Sequence, residues 1–163
     1  MAAQVINRVH PPAAALHCDL QRFANLISLP SQIDTLVTAD SLDPPLSRMR
    51  GPNPQHPIKQ LEAGNEGWVV VGMVISPAGR VVVAKAMAWS HPDFEAPAVA
   101  SVSVSEYGKP RIADRSVWAF VCQTVSFLLE VRDQRLSNGP MHLAGVAVFK
   151  EPLICAPAEV ALR

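Results

Sequence analysis

The longest apolar runs of this chain lie at its centre and follow one another closely. The first, Trp68–Ile75, is rich in β-branched side chains, and the second, Arg80–Met87, repeats this composition. The turn between them, Ser76–Gly79, has proline at its second position and glycine at its end, as β-turns favour. Two β-rich runs joined by such a turn predict a β-hairpin. Because the first run is apolar on both faces, we expect its strand to be covered on both sides.

A third apolar segment, Val117–Val131, alternates with the period of a β-strand. Its odd positions are apolar except for Gln123, whereas its even positions mix aromatic, polar and small side chains. A single strand of this length would extend past its neighbours, and an overhanging edge leaves backbone N–H and C=O groups unpaired. The pattern therefore predicts a long strand whose edge either pairs with another chain or is covered by the residues that follow it.

The flanking segments have weaker patterns. Eight of the fifteen prolines fall within residues 1–57, and the N-terminal segment over residues 1–49 is expected to be weakly structured. Within it, only Cys18–Leu29 has apolar residues at helical spacing, so one short helix is expected there. Farther along, Val99–Ser105 fits a helix and a strand equally well. Residues 133–163 are a C-terminal tail that could add a short strand at Leu143–Phe149.

Composition and charge narrow the class of protein. A chain of 163 residues that is 49% hydrophobic is expected to form one domain with a true core. Lys and Arg together number 14 and are balanced by 14 Asp and Glu, so a basic face for nucleic acid is not expected. The cysteines Cys18, Cys122 and Cys155 form no metal or redox motif and allow at most one disulfide. Cys122, inside an apolar run, is expected to be a small buried thiol.

No catalytic residue, metal site or cofactor is predicted. The sequence has no glycine-rich phosphate loop and no nucleophile-elbow motif. Cys122 could act as a nucleophile with His91 or His142 as its base, but nothing in the sequence orients such a base. His10 and His17 lie near Cys18 without a fourth ligand at a recurrent zinc spacing. We therefore expect a protein that is not an enzyme.

Targeting signals are not expected either. The first residues contain no uninterrupted apolar stretch of the kind found in secretory signal peptides. The longest uncharged stretch of the apolar centre, Gly67–Gly79, is far below the ~20 residues that a membrane-spanning helix needs. As written, the chain is expected neither to span a membrane nor to direct its own export.

An ordered series of short motifs carries a resemblance to a known family. The series consists of the entry Asn53–Pro57, the Leu-Glu-Ala-Gly and valine-rich run Leu61–Val71, the turn Ser76–Val81, the helix start at Phe94–Glu95, the break Tyr107–Pro110 and the strand Ala119–Phe127. In this order and spacing the motifs resemble the C-terminal domain of TonB-type energy transducers, whose fold TolA shares. The resemblance covers roughly residues 50–130 and implies a domain over residues 50–132.

The resemblance implies a fold and a function. The fold is α+β, a small antiparallel three-stranded sheet with helices packed on one face, and it favours a helix for Val99–Ser105. The family acts in the periplasm, tied to the inner membrane, where it captures the TonB-box peptide of an outer-membrane receptor as an added β-strand. It then transmits force from an inner-membrane motor complex, which this chain could reach only through an anchor that it lacks. The affinity of such a complex comes from main-chain hydrogen bonds.

The resemblance also implies where the partner would bind. A loop beside the receptor peptide would be formed by Asn53, Pro54, Gln55 and His56. The last strand would pair with the peptide along Val117, Ala119, Val121, Gln123 and Val125. Two alternatives stay open at this point: a small α+β enzyme or ligand-binding domain, and a homodimer that forms by edge-to-edge pairing of the last strand.

Overall fold

The computed structural model describes residues 5–31, 33, 35–132, 142–150 and 159–161. The described α-helices are α1 (Leu20–Leu26), α2 (Ile58–Glu62) and α3 (Glu95–Ser103). The strands are β1 (Thr35–Thr38), β2 (Arg48–Arg50), β3 (Gly67–Ile75), β4 (Val81–Trp89), β5 (Glu106–Tyr107), β6 (Arg111–Ile112), β7 (Arg115–Ser116), β8 (Ala119–Arg132), β9 (His142–Phe149) and β10 (Glu159–Ala161).

The main sheet contains six strands in the described part of the chain. Its order is β10-β1-β8-β3-β4, and β9 also pairs with β8. Strand β3 is antiparallel to both of its neighbours, β4 and β8. The other edge of β8 is shared by β1, which runs parallel to its first residues, and by β9, which is antiparallel to it from Val125 to Arg132. Strand β8 is therefore an interior strand.

Several local predictions are confirmed. Strands β3 and β4 form the predicted hairpin, and at its turn the Gly79 N–H donates to the Ser76 carbonyl at 2.9 Å with a positive φ of 83° at the glycine. The long strand β8 has 14 residues. Helix α1 lies within the predicted Cys18–Leu29, and the Asp19 carboxylate caps it by accepting from the Arg22 N–H at 3.1 Å.

Alternation along β3 produces two cores, one on each face of the sheet. Val69, Val71 and Met73 pack with α3 in one core. Val70 and Val74 pack with α1 in the other core. All nine residues of β3 are buried, as its two apolar faces predict.

The structure differs from the sequence expectations in three respects. The sheet is larger than three strands, because β1, β9 and β10 extend it beyond β8. Helices pack on both faces rather than one, because Leu20 and Phe23 of α1 are buried opposite α3. Residues before 50, expected to be weakly structured, contribute α1 and β1 to these layers, and the physical reason is the burial of their apolar side chains.

The mixed α+β class is what the sequence predicted. The segment that leads into α1 is also joined covalently to the main sheet. A disulfide links Cys18, just before α1, to Cys122 in β8. Both residues are buried, as expected for Cys122. Cys122 is not a free thiol, however, because it is half of this bridge. The sulfur of Cys122 is therefore not a thiolate, and its suggested role as a nucleophile is wrong.

Candidate functional site

The strand residues predicted to bind a partner are placed inside the fold. Ala119, Val121 and Val125 are fully buried in the core on the α3 side. Val117 lies before β8, is half-buried, and donates its N–H to the Pro110 carbonyl at 3.1 Å. Of the two alternatives predicted for this strand, the structure has the covered one, because β9 pairs with it from Val125 to Arg132. On the same side β1 pairs with Ala119 and Phe120, and β3 pairs with the opposite side. The open edge that the resemblance implied on β8 is therefore wrong.

Gln123, the polar member of this set, has an internal role. Its Oε1 accepts from the Tyr107 hydroxyl, and its Nε2 donates to the Lys150 carbonyl at 3.0 Å. Burial raises the pKa of the Tyr107 hydroxyl above its ordinary value, so this group stays a hydrogen-bond donor. At the same end of β9, the Arg48 guanidinium lies 3.7 Å from the centre of the Phe149 ring. These contacts hold the end of β9 against β8.

The predicted loop residues separate into two places. Asn53, Pro54 and Gln55 line an open groove of about 290 Å³ with Pro97, Ala100 and Ser101 of α3. The loop is held there because Ser101 Oγ donates to the Pro52 carbonyl at 2.5 Å. The structure thus brings the first three loop residues together on the outer side of α3, away from β8.

His56 points away from that groove and into the core. Its ring is T-shaped against the rings of Phe94 and Phe127, with centroids 5.5 and 6.0 Å away. Its Nε2 lies 2.8 Å from the Asn65 carbonyl, which can only accept, so Nε2 carries the proton. Nδ1 is then a buried acceptor with no partner among the described residues. Desolvation lowers the pKa of His56, which keeps the ring neutral.

The outer edge of β4 is the open edge that the sequence prediction had placed on β8. Strand β3 pairs with one side of β4 along its length. On the other side, no backbone group in the described part of the chain bonds to Val81–Ala86. An edge strand in this state presents a row of unpaired N–H and C=O groups, a template for an additional strand.

Local contacts close both ends of this open edge. At the start, Arg80 forms an isolated antiparallel bridge with Glu106, and Arg80 Nη1 lies 3.0 Å from Glu106 Oε1. The hydrogen bond from Arg50 lowers the pKa of Glu106, so this carboxylate remains ionised beside both arginines. Near the other end, Arg22 Nη2 donates to the Met87 carbonyl at 2.9 Å. The open stretch spans about 20 Å at roughly 3.3 Å per residue.

A groove of about 380 Å³ runs beside this edge, between β4 and α3. Its lining consists of Ala84, Lys85 and Ala86 from β4 together with Pro92, Glu95, Ala96 and Val99. Small side chains on β4 leave this space open, because an alanine extends no farther than Cβ. A strand added to β4 would therefore find room for side chains on the α3 side. We refer to the open edge and this groove as the β4 site.

The sequence contains one signal for the β4 site, although none of the predicted binding residues lies there. Lys85 interrupts an otherwise apolar strand and is exposed in the structure. A lysine in the middle of a strand is one of the devices by which proteins protect an open edge from unwanted pairing. The hairpin was predicted, but its edge position was not, because pairing order depends on contacts between distant segments.

Other kinds of site find little support in the described residues. They contain no group of three or more His, Cys, Asp or Glu side chains placed to hold a metal ion. None of the helices among them is long and apolar enough to cross a membrane. No family model, no curated protein and no solved structure was found to match the chain.

Proposed function

We propose that this chain is a non-enzymatic interaction module that binds an extended peptide as an additional β-strand at the β4 site. The observation that carries the proposal is the unpaired outer edge of β4 over Val81–Ala86, beside a groove that can take side chains. Strand addition obtains its affinity from main-chain hydrogen bonds and its selectivity from the pockets that receive alternate side chains.

The pairing of β8 on both of its sides supports β4, rather than β8 as the resemblance implied, as the strand that pairs with the peptide. A peptide at β8 would first have to displace β9, including the Gln123 bond to the Lys150 carbonyl and the contact between Arg48 and Phe149. At β4 no backbone pairing among the described residues has to be broken along the open stretch. Binding is therefore expected at the edge that requires no rearrangement.

We propose further that the unit of β4, β3 and β8 with α3 corresponds to a TonB-like domain, here enlarged by β1, β9 and β10. The motifs at Asn53–Pro57 and Ser76–Val81 support this assignment, as do the hairpin and the helix that follows it. On this proposal the peptide belongs to an outer-membrane receptor, and force would come from an inner-membrane motor. The Cys18–Cys122 disulfide supports an oxidising compartment such as the periplasm.

The proposal is tested by NMR with the full chain labelled with ¹⁵N. The probe is a capped peptide of about eight residues in which valine alternates with threonine, long enough to cover the ~20 Å open edge. We expect the largest amide shifts within Val81–Ala86, with smaller shifts in α3. The disulfide must stay oxidised during the titration, since it forms part of the folded state.

Each alternative outcome has a clear meaning. Shifts confined to β8 and β9 would mean that the peptide replaces β9, which contradicts binding at β4 and returns the site to the last strand. Unchanged amides throughout at millimolar peptide would contradict strand addition altogether. Concentration-dependent shifts in β4 without peptide would indicate pairing between two copies of the chain, the homodimer alternative.

A further inference from the structure

The β4 site is asymmetric in charge, and this asymmetry bears on what it binds. Ala84 and Ala86 pack on the α3 side of the sheet, whereas Val83 and Met87 pack on the α1 side. Because successive side chains of a strand alternate, Lys85 belongs to the α1 side. It is exposed and forms no ion pair within the described residues. Its partner in β3, Gly72, faces Phe23 of α1, so Lys85 borders the groove through its backbone rather than through its ammonium group. Glu95, in contrast, lines the groove from α3.

We infer that the peptide bound at the β4 site carries an acidic side chain opposite Lys85, flanked by apolar side chains that enter the groove against α3. This inference rests on the proposed function. Residues directly opposite each other in paired strands share a face, with Cβ atoms about 4.5–5.5 Å apart. A guest carboxylate opposite Lys85 therefore lies beside its ammonium group, and the guest's next residues on either side point towards Ala96 and Val99.

The opposite placement of the acid is disfavoured for two reasons. On the α3 side the groove is lined mainly by apolar side chains, and an acid there would lose hydration without gaining a partner. Glu95 on that side would repel it. The acid is thus specified on one face of the guest strand only. A one-residue shift in register would bring a misplaced acid to the Lys85 side, but it would also move the apolar side chains out of the groove, because every side chain changes face.

Lys85 also argues against a second copy of the chain as the occupant. In a symmetric antiparallel pair of β4 edges, the two Lys85 side chains lie on the same face and a few residues apart. Like charges close together across strands are destabilising. A peptide with an acid at this position removes the repulsion and uses the same lysine for attraction.

The test compares three capped peptides that share the alternating valine and threonine pattern. One has aspartate in place of the central threonine, one has lysine there, and one has aspartate in place of the neighbouring valine. We expect the first to bind about three- to tenfold more tightly than the second, as a change between opposite and like cross-strand charges predicts. The third should bind more weakly than the first. Dissociation constants come from the amide shifts of Val81–Ala86.

A charge-reversed protein completes the test. The Lys85→Glu variant should bind the lysine peptide more tightly than the peptide with central aspartate. The Lys85→Gln variant should bind these two peptides with equal affinity. Lys85 is exposed, so both variants should keep the wild-type melting temperature. If all three peptides shift β4 amides with equal affinity, the acidic requirement is wrong while strand addition stands. If none shifts them, the proposed function fails, and the inference fails with it.

Discussion

The side chain of Gln123 joins the centre of β8 to the end of β9, because its Nε2 donates to the Lys150 carbonyl at 3.0 Å. The same amide accepts from the Tyr107 hydroxyl, so it also connects the segment after α3. Both of these hydrogen bonds of the buried Gln123 side chain are made to groups of the protein itself. A residue expected to recognise a partner therefore stabilises the strand that covers the predicted binding edge.

Replacement of this glutamine should lower stability rather than peptide affinity. In Gln123→Leu the buried Tyr107 hydroxyl loses its acceptor, which we expect to lower the free energy of unfolding by about 1–3 kcal/mol in urea. Adding Tyr107→Phe should cost less in this variant than in the wild type, because the partner is already gone. Unchanged stability together with weaker peptide binding would contradict the internal role and restore Gln123 to a binding surface.

The disulfide should be a major contribution to stability. The linked residues are 104 positions apart in the sequence, and the bridge ties the start of α1 to β8. We expect Cys18→Ala/Cys122→Ala to lose about 2–5 kcal/mol of unfolding free energy. The double variant is preferable to a reductant, because both sulfurs are buried. Cys155→Ser retains the bridge and is the control.

A thiol titration shows whether the bridge forms. The denatured, unreduced wild-type chain should titrate a single thiol, and Cys155→Ser should titrate none. Three titratable thiols in the wild type would show that Cys18 and Cys122 are not joined.

Local features of the fold could be predicted from the sequence because short-range physics determines them. The turn Ser76–Gly79 requires glycine at a positive φ, and the β-rich runs on either side need little else to form a hairpin. The alternation of Val117–Val131 likewise predicted β8. The length of that strand, however, says nothing about which segment lies beside it. Pairing with β1 depends on residues far earlier in the chain, whereas β9 is the next strand along the chain and corresponds to the strand predicted at Leu143–Phe149.

The binding residues were less predictable for the same reason. Asn53, Pro54 and Gln55 were singled out by resemblance, and they do share a groove, but with α3 rather than with β8. The resemblance implies that His56 belongs to the loop surface, whereas its ring packs against the rings of Phe94 and Phe127. Its neighbours come from distant segments, so no local pattern could place it.

Stability should decrease as the pH falls below neutrality, with His56 as one cause. Desolvation holds the pKa of the folded-state ring below its ordinary value of 6.5. Above 6.5 the ring is neutral in both states and contributes no pH dependence. Below it the unfolded chain binds a proton that the folded chain resists, so unfolding becomes more favourable until the pH reaches the folded-state pKa.

The variant His56→Phe isolates this effect. Phenylalanine keeps an aromatic ring beside Phe94 and Phe127 but cannot titrate. We expect the unfolding free energy of the variant to fall less than that of the wild type between pH 7 and about pH 5, with the other ionisable groups common to both. Parallel curves over this range would contradict a depressed pKa at His56. The variant also loses the bond to the Asn65 carbonyl, which should lower its stability at pH 7.

Helix α3 offers a matched pair of substitutions that decides between the two grooves on its sides. Ala96 lines the groove next to β4, whereas Ala100, one turn later, lines the groove formed by Asn53 and Gln55. Both alanines are exposed, so a large side chain at either position should leave the core intact. Tryptophan at position 96 should fill the space that guest side chains need. We therefore expect Ala96→Trp to weaken binding of the valine–threonine peptide by at least about tenfold, which corresponds to about 1.4 kcal/mol.

Ala100→Trp should bind this peptide with wild-type affinity, since it blocks only the loop groove. The reverse result, weaker binding in Ala100→Trp alone, would place the peptide beside Asn53 and Gln55 as the sequence predicted. Equal losses in both variants would indicate that tryptophan perturbs α3 itself, a possibility that the melting temperatures of the two proteins measure directly. The comparison thus assigns the peptide to one side of a single helix.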